Sequence, residues 1–334
     1  MFIIAEIGQA HEGSLGMALS YIDALAETGV DAVKFQVHMA AAESSEFEPF
    51  RVKFSQQDKT RLNYWKRMEF SPEEWKLLKQ KCEEKGVEFL ASPFSNAAVD
   101  LLEELGVKRY KLGSGEVNNF LLLEKIAGTG KPVILSSGMS SLKELDKTVE
   151  FLKSRNVEFS VLQCTTAYPT TAQNYGLNVI RELKERYDVP IGYSDHSAKI
   201  ETCIAATALG AEILEFHAVF DRRSFGPDAT SSLEIDEVKT LVQAVNNIQT
   251  SLRCTIDKTD NSQYKELKNI FEKSLAVNKH LPTGHKLTFN DLETKKPKGY
   301  GIDASKFEQV LGKELKKEKR QWEFLNWEDV GASL

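Results

Sequence analysis

Short apolar runs alternate with amphipathic segments from residue 2 to residue 252 of the chain. Eight runs, rich in β-branched and aromatic residues, have the length of β-strands: 2–7, 32–36, 88–93, 109–113, 132–136, 159–164, 190–193 and 212–217. The segments that follow them carry apolar residues at helical spacing: 15–27, 71–85, 96–105, 120–127, 141–155, 177–187, 199–209 and 235–252. The pattern therefore predicts eight consecutive strand–helix units.

Eight such units within about 250 residues match the size and order of a (β/α)8 TIM barrel. A doubly wound open sheet is the alternative. One connection is unusually long: segment 37–70 mixes charges with Phe47, Phe50, Phe54, Tyr64 and Trp65. Loops of this length in compact domains are usually functional or disordered, and the aromatic residues favour an ordered flap or an interface.

The composition changes at the polar stretch 255–263. We therefore expect a barrel domain over residues 1–270 and a small second domain over 274–334, with a turn at 297–301 as its clearest local feature. A segment of about 60 residues buries only a marginal core. We expect it to dock on the barrel or on a partner subunit.

Composition excludes several classes of protein. With 41% hydrophobic residues the chain is not disordered, and a net charge of -6 argues against a nucleic-acid partner. The four cysteines form no CxxC pair, and residues 1–8 lack the basic flank of a signal peptide, which indicates the cytoplasm. No apolar stretch reaches the ~20 residues of a membrane span, so no membrane segment is expected.

Polar residues stand at or just after the carboxyl ends of the predicted strands. Such residues converge on one rim of a barrel, where active sites are built. In chain order they are Glu12, Lys34, Gln36, Ser92, Lys111, Ser114, Glu116, Ser136, Thr166, Tyr168, His196 and His217, followed by Asp228 in the loop after the eighth strand.

Two of these residues are lysines inside predicted strands. A lysine within a barrel strand is costly to desolvate unless it meets an anion. With the turn 112–115, Lys34 and Lys111 are candidates to bind a phosphate or carboxylate. The alternative is that each lysine lies at the rim and pairs with a protein carboxylate.

His196 and His217 close two successive predicted strands. Two imidazoles at neighbouring strand ends suit a divalent metal, with the remaining coordination positions left to water or substrate. A pair of hydrogen-bonded core histidines is the alternative.

These residues belong to a series of motifs by which the chain resembles the N-acetylneuraminate (sialic acid) synthases and their legionaminic and pseudaminic acid relatives. The resemblance covers nearly the whole chain. The motifs are Ile4-Ala5-Glu6-Ile7-Gly8, His11-Glu12-Gly13, Val33-Lys34-Phe35-Gln36, Lys111-Leu112-Gly113-Ser114-Gly115-Glu116, Ile134-Leu135-Ser136-Ser137-Gly138-Met139, Cys164-Thr165-Thr166-Ala167-Tyr168-Pro169, Gly192-Tyr193-Ser194-Asp195-His196 and Gly226-Pro227-Asp228.

The resemblance implies a TIM barrel followed by a small C-terminal antifreeze-like (SAF) domain, in a domain-swapped homodimer whose SAF domain covers the partner's active site. It also implies a reaction: phosphoenolpyruvate condenses with an open-chain N-acyl hexosamine, typically N-acetylmannosamine, and phosphate is released. The implied cofactor is a divalent metal, Mn²⁺ first, with Mg²⁺ or Co²⁺ as alternatives.

The resemblance also implies roles for individual residues. The phosphoenolpyruvate ligands would be Lys34, Ser92, Lys111, Ser114, Ser136, Thr166 and Ser194. The sugar ligands would be Gln36, Glu116, Tyr168, Asp228 and, from the C-terminal domain, Lys296. The metal ligands would be His196 and His217, which with Glu12 form the catalytic set.

Three positions depart from the family pattern. Ala10 stands where the family has Asn, Phe216 where a basic residue is common, and Lys296 where an Arg reaches the sugar's N-acyl group. A different acyl group or nonulosonic acid is therefore an open alternative. So is a condensation with a sugar phosphate, which would need an additional Arg or Lys cluster that the sequence does not reveal. A barrel that only binds carbohydrate is the non-enzymatic alternative.

Overall fold

Eight parallel strands form the centre of the first compact unit, which ends at Cys254 in a computed structural model describing residues 1–331. They are β1 Phe2–Gly8, β2 Ala32–Val37, β3 Glu88–Pro93, β4 Tyr110–Leu112, β5 Val133–Ser136, β6 Phe159–Cys164, β7 Ile191–Asp195 and β8 Ile213–Val219, and the short strand β9 Leu233–Glu234 pairs in parallel with the end of β8. The hydrogen-bonded order is β3-β2-β1-β8-β7-β6-β5-β4, and β3 packs beside β4. The sheet therefore curves into a barrel, which excludes the doubly wound alternative.

Helices follow the strands and cover the outside of the sheet. Their bounds are α1 Leu15–Ala26, α2 Ala40–Glu43, α3 Arg61–Met68, α4 Pro72–Lys85, α5 Asn96–Leu105, α6 Phe120–Ala127, α7 Leu142–Ser154, α8 Leu177–Arg186, α9 Ile200–Ala208 and α10 Ile235–Arg253. Capping residues determine where α4 and α7 begin. The side chains of Ser71 and Ser141 accept from the backbone N–H groups of Glu74 and Glu144, whose side chains accept from the serine backbone N–H groups in turn. No helix of residues 1–331 is both long and apolar enough to span a bilayer.

The long connection after β2 is ordered. It contains α2 and α3, and Thr60 caps α3 by accepting from the backbone N–H of Asn63. Tyr64, Trp65 and Met68 of α3 pack with Ala40 into a small apolar cluster of their own. Phe50 and Phe54 pack against this cluster and help to hold the segment in place, whereas Phe47 is exposed.

The first compact unit ends at Cys254, where the sequence led us to expect a barrel domain up to residue 270, and a second compact unit begins at Thr255. It contains α11 Lys265–Phe271 and the antiparallel pair β10 Ser274–Val277 and β11 Leu292–Lys295. Its core consists of Leu275, Val277, Leu281, Leu287, Ile302, Val310, Leu315, Leu325 and Val330. Residues 332–334 of the predicted second domain lie outside the described residues.

Asp291 is the buried polar centre of this second unit. Its carboxylate lies 2.7 Å from Lys279 Nζ and 2.9 Å from His285 Nε2, and it accepts from the backbone N–H of Thr288 at 2.7 Å. Burial alone would raise the pKa of Asp291, but these partners hold it well below the usual range. The stabilisation is therefore present above the unfolded-state pKa of about 3.9 and is lost as the pH falls below that value.

We accordingly expect Asp291→Asn to destabilise the second unit by about 1.5–3 kcal/mol at pH 7, the usual range for hydrogen bonds to a charged group. The deficit should shrink at pH 3. Amide hydrogen exchange of the buried Val277 and Leu325 would measure it, with the exposed Glu308→Gln as control. An equal deficit at both pH values would contradict the assignment.

Candidate active site

A polar layer lies directly above an apolar floor inside the barrel. The floor consists of Ile4, Ala32, Leu90, Ile134, Leu162 and Ile213. Because side chains on one face of a strand recur every two residues, the next inward layer contains Glu6, Lys34, Ser92, Ser136, Cys164 and Glu215. The floor is tight: a Cβ on Gly192 would lie 2.4 Å from Leu162 Cδ2.

This polar layer forms the base of a cavity of about 400 Å³ at the carboxyl ends of the strands. The cavity brings together residues that are far apart in the sequence. Of the predicted site residues it is lined by Lys34, Gln36, Ser92, Lys111, Ser114, Glu116, Ser136, Thr166, Tyr168, Ser194, His196, His217 and Asp228.

The two buried lysines share one carboxylate. Lys34 Nζ lies 2.8 Å from Glu6 Oε1 and 3.6 Å from Glu215 Oε1, whereas Lys111 Nζ lies 3.2 Å from Glu215 Oε1. Lys111 also donates to Ser136 Oγ at 2.7 Å. Both lysines therefore sit inside the barrel, paired with carboxylates that come from its own strands.

The two lysines differ in how well their charge is compensated. Burial lowers the pKa of either lysine, but for Lys34 the charges of Glu215 and Glu6 outweigh it and the pKa is raised. For Lys111 burial prevails over Glu215, and the charge of Lys34 adds to the lowering of the pKa. Lys111 is thus the under-compensated cation, and an anion in the cavity would stabilise its charged form.

A cradle of small polar groups lies beside Lys111. Ser114 Oγ accepts from the backbone N–H of Gly138 at 2.9 Å. A Cβ on Gly138 would lie 2.4 Å from Thr166 Oγ1 and 2.6 Å from Ser114 Oγ, so only glycine fits here. Ser92 Oγ is buried and has no hydrogen-bond partner among the described residues. Hydroxyls and a bare backbone next to an ammonium group suit a phosphate or carboxylate.

The two histidines face the same cavity, with ring centroids 5.3 Å apart. His196 Nδ1 lies 3.1 Å from the carbonyl oxygen of Thr165, which leaves Nε2 available, and His217 Nε2 lies 3.2 Å from Glu6 Oε2. Burial lowers the pKa of His217 and favours its neutral, metal-binding form. Burial also lowers the pKa of His196, but Cys164 and the Thr165 carbonyl outweigh it and raise that pKa to about 9.

These features fit a divalent cation held by two imidazoles. Neutral imidazole nitrogens are common ligands for such ions, and a site on His196 would release a proton on binding. Within residues 1–331, no group of three or more His, Cys, Asp or Glu side chains is arranged to hold a metal. Water or substrate would have to complete the coordination shell.

The long connection after β2 contributes two arginines, Arg51 and Arg61, to the wall of the cavity. Arg51 Nη2 lies 2.6 Å from Asp228 Oδ1, and its guanidinium group stacks over the Tyr168 ring at 4.0 Å. Arg61 lines the same wall and stacks on Trp65, with its Nε 3.5 Å from Glu48 Oε1. The sequence did not reveal these two arginines as a pair, because each stands alone in a segment with no regular pattern.

Two predicted site residues lie elsewhere. Glu12 does not line the main cavity: Arg67 Nη1 lies 2.9 Å from its Oε2 and donates to its carbonyl oxygen at 3.1 Å, so its carboxylate anchors the long connection. Lys296 belongs to the second unit, where its Nζ lies 4.8 Å from the centre of the Phe271 ring. Glu12 thus lies outside the lining of the cavity, and its role at the reacting centre stays a prediction.

Phe216 and Ala10, two of the positions that depart from the family pattern, lie in different parts of the barrel unit. Phe216 is buried in the core between sheet and helices, and does not line the cavity, because side chains alternate along β8 and its neighbours Glu215 and His217 point inward. Ala10 lies in a small adjoining cavity that also contacts Asp228. Phe216 is thus a packing residue in this fold.

The sequence prediction did not include two carboxylates that point into the barrel, Glu6 and Glu215, because it considered only polar residues at the strand ends. The rule that selected Lys34 and Lys111, a charge inside an apolar strand, applies equally to both and would have found them. No comparable sequence feature identifies Gln9, His38 or Glu43, which reach the cavity from loops and from α2.

Comparisons with known proteins agree with this geometry. The sequence matches the NeuB family over residues 21–257. The chain is 35% identical over 331 residues to the N,N'-diacetyllegionaminic acid synthase of Campylobacter jejuni, covering 97% of this chain and 98% of that protein. It is 37% identical over 318 residues to the human N-acetylneuraminate-9-phosphate synthase, covering 90% and 84%.

A solved structure shares the fold. The N-acetylneuraminic acid (sialic acid) synthetase of Leptospira borgpetersenii superposes with a TM-score of 0.70 at 35% identity, covering 80% of this chain and 90% of that one. The family match extends over more than half of the chain, and the relatives align over most of their own length. The chain therefore belongs to the NeuB family.

Proposed function

We propose that the protein condenses phosphoenolpyruvate with an open-chain N-acyl hexosamine to form a nonulosonic acid, with release of phosphate. The observation that carries this proposal is the under-compensated Lys111 beside Lys34 and the cradle of Ser114, Thr166 and Gly138. Lys34 has Glu6 as a second partner, whereas within residues 1–331 Lys111 has only the carboxylate of Glu215, which it shares with Lys34, so an anion in the cavity would compensate the charge of Lys111 better. The names of the synthases to which the chain is similar support the same reaction.

The residues of the chain can perform most of this chemistry. Lys34 and Lys111 would neutralise the phosphate and carboxylate of phosphoenolpyruvate, and Ser136 would orient the Lys111 ammonium group through their 2.7 Å hydrogen bond. Glu215 Oε2 is buried without a hydrogen-bond partner among the described residues, so it can accept a proton or a hydroxyl hydrogen bond from a reactant. Holding both reactants in one cavity adds the advantage of proximity.

We propose His196 and His217 as the metal ligands. When bound there, a divalent cation such as Mn²⁺ would polarise the carbonyl oxygen of the acceptor sugar. Glu6 would orient His217 through their 3.2 Å contact.

We propose that the acceptor lies against Gln36, Glu116, Tyr168 and Asp228 on the wall that faces the long connection. Arg51 and Arg61 on this wall are the additional cations that a phosphorylated acceptor would need. Each faces a carboxylate, Asp228 and Glu48 respectively. The neutral hexosamine is therefore the first choice, and the phosphorylated hexosamine is the second.

We further infer that the second unit is an antifreeze-like domain of a domain-swapped homodimer, with Lys296 directed at the partner's sugar. Its size, its short strands and its exposed aromatic residues Phe289, Tyr300 and Trp322 support this inference. The expected site of action is the cytoplasm.

The test is phosphate release from phosphoenolpyruvate in the presence of Mn²⁺ and an acceptor. We expect release with N-acetylmannosamine or with one of a panel of 2,4-diamino, 6-deoxy and 6-phosphorylated hexosamines, and loss of that release when a chelator removes the metal. A reaction without acceptor controls for hydrolysis. Failure of every acceptor would count decisively against the proposal, and binding of sugar without turnover would favour the carbohydrate-binding alternative.

A further inference from the structure

His38 and Glu43 form a buried pair that the proposed chemistry does not use. His38 follows β2 and is clamped between Trp65 and Phe94, with ring centroids 3.8 Å and 4.7 Å away. Glu43, the last residue of α2, places its Oε1 2.6 Å from His38 Nδ1, and its Oε2 accepts from the backbone N–H of Met39 at 3.2 Å. Both side chains are at most 7% exposed, so neither is free to reorient.

This arrangement selects one tautomer of His38. An ionised carboxylate can only accept hydrogen bonds, so Nδ1 carries the proton and donates it to Glu43. In the neutral ring Nε2 then has a lone pair. Nε2 lies 3.2 Å from the side-chain nitrogen of Gln9, which can donate to it, and also 3.2 Å from Gln36 Oε1, which would accept from a protonated Nε2.

A series of hydrogen bonds continues from His38 through Gln9 and Gln36 to Glu6 at the centre of the site. The same Gln9 amide nitrogen also donates to Gln36 Oε1, so its two hydrogens are both used. Gln36 Nε2 in turn donates to Glu6 Oε1 at 2.6 Å. Glu6 contacts Lys34 at 2.8 Å and His217 at 3.2 Å. With this assignment each of these bonds joins a donor to an acceptor, and the one contact left between two acceptors is that of His38 Nε2 with Gln36 Oε1 at 3.2 Å.

We propose that His38 and Glu43 are positioning residues of the active site. By fixing the His38 tautomer, Glu43 fixes the Gln9 and Gln36 amides and thereby aims an N–H donor at Glu6. Because α2 belongs to the long connection, this also gives that segment a role in catalysis. The catalytic part of this inference rests on the proposed function, whereas the tautomer part does not.

Glu43→Gln should move the proton of His38 from Nδ1 to Nε2 while it keeps the shape of the side chain at position 43. The backbone N–H of Met39 still requires an acceptor, so the new carboxamide turns its oxygen there and its NH₂ group to His38 Nδ1. The ring must then carry its proton on Nε2, which faces the Gln9 amide nitrogen, a second donor. Gln36 Oε1, 3.2 Å from Nε2, can accept from the new donor, and the Gln9 amide nitrogen loses its acceptor at His38 and must turn or shift.

The expected kinetic result is a fall of about 10–100-fold in kcat, the usual range for residues that orient groups in a site, with the KM for phosphoenolpyruvate changed less than about threefold. His38→Phe keeps the aromatic stacking and should cause a similar fall. The double variant should be no worse than either single variant, because both break the same series. Glu46→Gln, an exposed neighbour on the same segment, serves as the matched control and should retain wild-type rates.

A spectroscopic measurement tests the inference independently of turnover. Long-range ¹H–¹⁵N spectra of ¹⁵N-histidine-labelled protein distinguish the two neutral tautomers, and the signals missing in His38→Phe assign His38. We expect the Nδ1–H form in the wild-type protein and the Nε2–H form in Glu43→Gln. If no acceptor supports turnover, the proposed function fails while this spectrum still decides the tautomer.

Three results would overturn the inference. One is the Nε2–H or the doubly protonated form of His38 in the wild-type protein. Another is an unchanged tautomer in Glu43→Gln. The third is wild-type kcat in a Glu43→Gln protein whose tautomer has changed, because the pair would then not act on catalysis.

Discussion

His217→Ala is expected to lower kcat by at least ~10³-fold, equivalent to about 4 kcal/mol of lost transition-state stabilisation. The physical reason is that the variant removes one of two imidazoles in the proposed metal site and leaves His196 as its only histidine ligand. Glu6 Oε2 would also lose its partner at 3.2 Å. Phosphate release and a Mn²⁺ titration followed by electron paramagnetic resonance measure the two effects separately.

His280→Ala provides the control, because that side chain is exposed and belongs to the second unit. It should retain both turnover and Mn²⁺ affinity. Wild-type turnover together with unchanged Mn²⁺ affinity in His217→Ala would show that the metal assignment is wrong. Tight Mn²⁺ binding without turnover would instead place the role of His217 in the reaction and not in metal affinity.

Lys111→Met is expected to reduce kcat/KM for phosphoenolpyruvate by about 10²–10³-fold, since a truncated partner of a buried charge pair typically costs several kcal/mol. Methionine is similar in length to lysine but lacks the charge that would meet the phosphate. The fold should be retained because Lys34 still lies 3.6 Å from Glu215. Steady-state phosphate release, with phosphoenolpyruvate varied at a fixed acceptor concentration, measures the effect.

The matched control is Lys108→Met, an exposed lysine three positions earlier in the chain. It should leave kcat/KM unchanged. If Lys111→Met altered only the KM of the acceptor, the anion site would have to lie elsewhere in the cavity. A circular dichroism melt of each variant separates loss of binding from loss of fold.

Most of the barrel could be predicted because its information is local. Short apolar runs rich in β-branched residues and serine-capped helices determine each unit from a few adjacent residues. The predicted and observed ends differ by only one or two residues, as in β7, predicted as 190–193 and observed as Ile191–Asp195. The rim residues followed from the same pattern, because strand ends in a barrel meet on one side.

The boundary of the second unit was harder to predict. A change in composition marks a polar linker at 255–263, but it cannot assign α11, which belongs to the unit that follows. That assignment depends on which core the helix contacts, a property of the folded chain.

By itself, the sequence determined the strand–helix order, the rim on which the lysines, serines and histidines meet, and the family of the chain. Only the tertiary structure decided that Lys34 and Lys111 share Glu215, that Glu12 turns away to Arg67, and that His38 and Glu43 connect the long segment to Glu6. The physical reason is distance along the chain. Periodicity reports which face of its own strand or helix a residue takes, whereas hydrogen bonds and ion pairs between elements depend on register and loop paths that no local pattern encodes.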